Sequence, residues 1–193
     1  MTVWKALKNE SWAVIERVVA PCKPTPKEIE EINDYFDRRL KERATNGLLD
    51  ASNIQQEAHL RMPFNEMRVC FNGAKNCSTR DEGLIELGKS FAYMFFLIEV
   101  LSHHRIGIDV INNNSRHTPY VKWYLDDFKV YAEGLKELNN PKRDIKFALD
   151  LNPLVRYIKN KAALHVPSGR DAEKDEQVKN QYNLLSQIAG FFE

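Results

Sequence analysis

Glu99 and His103 stand one helical turn apart, with His104 beside them. A carboxylate and an imidazole at that spacing can share a metal ion, or the carboxylate can orient the imidazole as a base. The further ligands such a centre needs are not evident. Asp109 and His117 are the nearest, in a stretch without helical pattern, and the helix carries neither a Glu-x-x-His pair nor a His-Glu-x-x-His run. The ordinary role for Ser102-His103-His104-Arg105 is to set basic groups on the last carbonyls of a helix, where its dipole favours them. Spacing alone leaves both roles of Glu99, His103 and His104 open.

Other catalytic patterns are weaker. Cys22 lies between prolines and has no base beside it, Cys70 shares an apolar face with Met67 and Phe71, and Cys77 falls in a loop. Accessibility without an activating partner does not make a nucleophile. No arginine precedes any of the five histidines by four to six residues, which argues against the helical ribonuclease arrangement. Gly83 and Gly88 follow no strand and have no P-loop lysine, so close helix packing explains them better. The expectation is a non-enzymatic chain with no catalytic residue, no cofactor and no metal.

Two segments suggest nucleic acid or another anionic partner. Residues 52–73 read as helix, break at Met62-Pro63, helix, resembling a helix-turn-helix whose second helix would present Asn65, Arg68 and Asn72 to base edges. The turn lacks glycine and that helix has one basic residue. The second segment, 141–164, carries Lys142, Arg143, Lys146, Arg156, Lys159 and Lys161 against Asp144 and Asp150. Tyr157 and His165 could stack there on bases. A protein partner is the stronger expectation, because Trp123 lies off the main stripe of its helix and Trp4 near the chain start. Exposed tryptophans are favoured anchors in interfaces. The chain is thus expected to act as an adaptor, inhibitor or regulatory factor, with self-association into a homodimer open.

The elements that position these residues are announced by repeated punctuation. Thr25-Pro26, Thr118-Pro119, Asn140-Pro141 and Asn152-Pro153 each set a capping side chain before a proline suited to a first helical turn. Thr25 with Glu28, and Thr79 with Glu82, form capping boxes. Helices are expected over about 2–20, from Pro26 to a stop at Asn46-Gly47, 53–61, 64–72 ending at Gly73, 79–105, 119–138, 141–150, 153–164 and from Asp171 onward. The last carries Val178, Tyr182, Leu185, Ala189 and Phe192 on one stripe. The helix from Thr79 is apolar on most of its circumference and is expected at the centre. The stretch 106–115 alternates like a strand but has no sheet to join, and reads as a loop. The fold class is all-α, an antiparallel bundle of eight or nine helices in one domain over 1–193, with 1–77 and 78–193 as the alternative division.

Bulk properties agree. At 193 residues, 43% hydrophobic and 28% charged, the chain is long enough for a substantial core. Its 28 basic and 27 acidic residues leave no global field toward polyanions or membranes. Ser90–Ile98 is too short to span a bilayer. The N-terminus lacks an apolar signal region, and three cysteines suit a reducing cytoplasm.

Overall fold

The computed structural model describes residues 3–45, 57–102 and 118–193, with side chains for 9–38, 63–102 and 125–193. Seven α-helices are present among these residues: α1 (Val3–Val19), α2 (Pro26–Thr45), α3 (Glu57–Lys75), α4 (Arg80–Ser102), α5 (Thr118–Leu138), α6 (Asn152–Ala163) and α7 (Ala172–Phe192). A 3-10 turn at Ala20–Cys22 follows α1. There is no strand among the described residues. No helix of the described residues is long and apolar enough to cross a membrane. The stop at Asn46-Gly47, the stretch 106–115 and residues 52–56 lie outside the described residues.

The punctuation works locally at several helix starts. The Thr25 amide donates to Glu28 Oε2 at 2.6 Å and the Glu28 amide to Thr25 Oγ1 at 3.3 Å, the reciprocal box. The Glu82 amide donates to Thr79 Oγ1, and the Lys174 amide to Asp171 Oδ1 at the start of α7. α4 is central, packing against α1, α2, α3, α6 and α7. Its large apolar side chains from Leu84 to Leu101, half-buried Ile85 apart, are almost wholly withdrawn from water. Each such burial contributes roughly 1.5–3 kcal/mol. α2 approaches α4 closely enough that a Cβ at Gly88 would lie 2.6 Å from Ile32 Cγ2. One cluster of buried side chains draws on all seven helices.

Four local expectations are corrected. Residues 57–75 form one helix with Pro63 inside it, so the break at Met62-Pro63 and the stop at Gly73 do not occur. An internal proline removes a hydrogen bond and crowds the preceding turn. Burial outweighs that cost: Phe64, Met67, Cys70, Phe71 and Ala74 all enter the core, with Phe64 edge-on to Phe128 at 5.2 Å. The helix expected over 141–150 is absent. Asn140 Oδ1 instead accepts the Lys142 amide at 3.0 Å, closing a turn. Asn139 clamps Leu149 through both backbone groups, and the Asp150 amide donates to Val18 O at 3.0 Å. Phe147 and Leu149 point inward while Lys146 and Ala148 face out, the period-two pattern of extended chain. Asn152 opens α6 without serving as its cap; the residue before it is Leu151, and Asp150 Oδ1 takes the Asn152 amide. In α7 the buried stripe passes through Gln181, which donates to Leu101 O at 2.7 Å, while Tyr182 is exposed.

Candidate partner-binding surface

The basic segment does not form one free cationic face. Lys142, Lys146 and Arg156 are exposed. Arg143 is half-buried and donates to Lys75 O at 2.9 Å, and Lys159 pairs with Glu193. Tyr157 is corrected outright. Its ring packs edge-on to Phe95 at 5.0 Å and its hydroxyl donates to Glu99 Oε1, so it cannot stack on a base. His165 is buried as well. Lys146 and Arg80 line a cleft of about 530 Å3 with Cys22, Asn139 and Phe147. Burial pushes the Cys22 thiol up, only partly offset by its hydrogen bond to Ala148 O and by Arg80, so the sulfur stays protonated.

Glu99 is the hub of a closed network. Lys161 Nζ lies 2.7 Å from Glu99 Oε1 and 3.1 Å from Glu10 Oε2, and sits over the Tyr157 ring at 5.3 Å. Burial opposes the Lys161 charge, but the hydrogen bonds and charges of Glu99 and Glu10 outweigh it and raise its pKa. Burial, then the Glu99 charge, drives the Tyr157 pKa far up. The Glu99 oxygen that the sequence offered to a metal already holds an ammonium and a phenol. His103, His104, Asp109 and His117 lie outside the described residues. Among those described, no three His, Cys, Asp or Glu side chains converge as a metal site.

A more open arrangement lies between α3 and α5. Asn65, Arg68 and Asn72 are exposed on α3, as helical periodicity implies. The facing wall comes from α5, which sequence spacing could not place there. The groove is about 310 Å3. Arg68 and Lys75 form its α3 side; Asp127, Glu133 and Glu137 form its α5 side. Its floor is Phe71 edge-on to Tyr131 at 5.3 Å. Gly134 admits that floor, since a Cβ there would lie 2.4 Å from Phe71 Cζ. The Tyr131 hydroxyl is anchored below by Ser90 Oγ at 2.8 Å. Burial raises the Asp127 pKa, with Arg68 pulling it down and Asp126 adding to the rise. Asp127 Oδ2 is withdrawn from water and has no hydrogen-bond partner among the described residues.

Val69 on α3 and Val130 on α5 are 63% and 64% exposed, so each helix offers a branched aliphatic side chain to solvent. Trp123 belongs to α5 and Trp4 to α1, and both side chains lie outside those described. No protein-family model, curated protein or solved structure matches this chain.

Proposed function

We propose that the chain is a non-enzymatic helical interaction protein, an adaptor, inhibitor or regulatory factor of the cytoplasm, built as an antiparallel bundle and binding a protein partner through its α3–α5 face. The observation carrying this reading is the groove whose two sides bear opposite charge, with exposed Val69 and Val130 on the same two helices. Apolar contact among charges that fix register suits a protein partner. Three carboxylates on one wall disfavour a phosphate backbone there.

A photo-crosslinking amino acid at position 130, compared with one at exposed Lys179 on α7, tests the face directly. Protein adducts specific to position 130 support the reading, and equal labelling at both positions removes it. The second reading is a nucleic-acid binder using Lys142, Lys146 and Arg156, favoured by the cleft at Lys146, whose lining has two cations and no carboxylate. Anisotropy of labelled duplex DNA and RNA at about 50 and 200 mM salt separates the two, since phosphate contacts weaken steeply over that range.

A further inference from the structure

We infer that the partner on the α3–α5 face is a second copy of this chain, joined by a twofold axis that runs along the groove. This rests on the reading of that face as the interaction surface. The α3 side of the groove is basic, with Arg68 and Lys75, and the α5 side acidic, with Asp127, Glu133 and Glu137. A face divided in this way is complementary to itself under one rotation. With the axis along the groove, α3 of one copy meets α5 of the other, so each cation faces a carboxylate. An axis across the groove sets like charge against like, so electrostatics selects between the two pairings.

The same rotation preserves position along the groove. Arg68 already acts on Asp127 within one chain. Rotation therefore brings Arg68 of the second copy to the level of Asp127, whose Oδ2 has no hydrogen-bond partner among the described residues. That oxygen is already withdrawn from water within one chain, so the guanidinium of the second copy reaches it only once the Asp127 side chain turns toward the groove, where a charge-assisted hydrogen bond satisfies it. Val130, which lines the groove, would then leave water in both copies.

Sedimentation velocity across about 1 to 300 μM tests self-association, since a dimer's population follows concentration. The wild-type protein is expected to shift from monomer to dimer. Two charge variants then test the pairing. One carries Arg68→Glu and Lys75→Glu, making both sides acidic; the other carries Glu133→Lys and Glu137→Lys, leaving the groove mainly basic. Each alone should self-associate at least about tenfold more weakly, the scale of losing several exposed ion pairs. Mixed in equal amounts, they should form a heterodimer. Matching circular-dichroism melts show that the variants remain folded. A wild-type protein that stays monomeric throughout overturns the second copy, as do variants that dimerise like wild type or fail to pair when mixed. A position-130 crosslink to a different protein, with a monomeric wild type, defeats this inference and leaves the interaction reading standing.

Discussion

The Glu99 network and the α3–α5 groove contain much the same chemistry: carboxylates, cations and a tyrosine whose pKa burial has raised. They differ in what is left over. In the network, Glu99 holds both the Tyr157 hydroxyl and Lys161, and Lys161 also holds Glu10. In the groove, charges of opposite sign line separate sides, an acidic oxygen has no partner among the described residues, and two valines on the flanking helices meet solvent. The first arrangement uses its polar groups to join α1, α4 and α6. The second sets its charged side chains along an open groove. Residue type alone does not distinguish a tether from a docking face.

The strongest way to break the network is Lys161→Met. Its side chain is only 13% exposed, and its loss leaves Glu99 with a single partner while Glu10 loses its contact. We expect about 3 kcal/mol of destabilisation, the low end for breaking a buried pair, read as a fall of about 6–12 °C in Tm for a chain of this size. Association through the groove should survive at temperatures where the variant is folded. An unchanged melt would reduce the network to a surface contact.

Gly134→Ala is expected to cost about 1–3 kcal/mol by overpacking the floor against Phe71. Unlike Lys161→Met, it should also weaken association, because the floor supports both sides of the groove. Parallel thermal and sedimentation measurements would show whether that coupling exists.

Alkaline titration sharpens the contrast by chemistry. The Tyr157, Tyr131 and Lys161 pKa values are all raised in the folded protein. A group raised on folding stabilises fully below its unfolded value and loses that contribution as pH climbs above it. Stability should therefore fall from about pH 10 upward, where unfolded tyrosine begins to ionise. Tyr157→Phe removes one of these groups and should make the fall shallower in chemical denaturation. A slope unchanged from wild type would show that Tyr157 ionises alike in both states.

The smallest expected stability effect belongs to Val130→Asp. At 64% exposure it should change unfolding free energy by no more than about 0.5 kcal/mol, yet reduce binding at the face. Trp123→Ala on the same helix is expected to behave likewise if it anchors a partner. A loss of several kcal/mol, the scale of a buried tryptophan, would place it in the core instead.

Where structure depends on neighbours in sequence, it was largely legible. Thr25-Pro26-x-Glu28 is a complete local instruction, and the apolar circumference of α4 marked it as central. Asn140-Pro141 was ambiguous, because an asparagine before proline can cap a helix or close a turn. The alternation of Ile145, Phe147 and Leu149 was the signal that favoured extended chain. Tyr157 was also readable: it adjoins Ile158 and lies three residues after Leu154, on the apolar stripe of its helix. Pro63 misled because its local cost is real, and only contacts with α4 and α5 outweigh it. The exposure of Arg68 followed from helical period. The acidic wall opposite it depends on how α5 packs against α3, which no local spacing encodes.

The hydrogen bond from the Asp150 amide to Val18 O has a consequence for the order of assembly. On the ribosome, α1 emerges long before the segment that joins this carbonyl and before α6, which packs on it. The part of the α1 apolar face that α6 covers must therefore wait, or be shielded, while the intervening helices are synthesised. Vectorial synthesis can set α1 against α2, and then α2 and α3 each against α4, whereas the joining of α6 to α1 is a long-range event of the kind that slows folding.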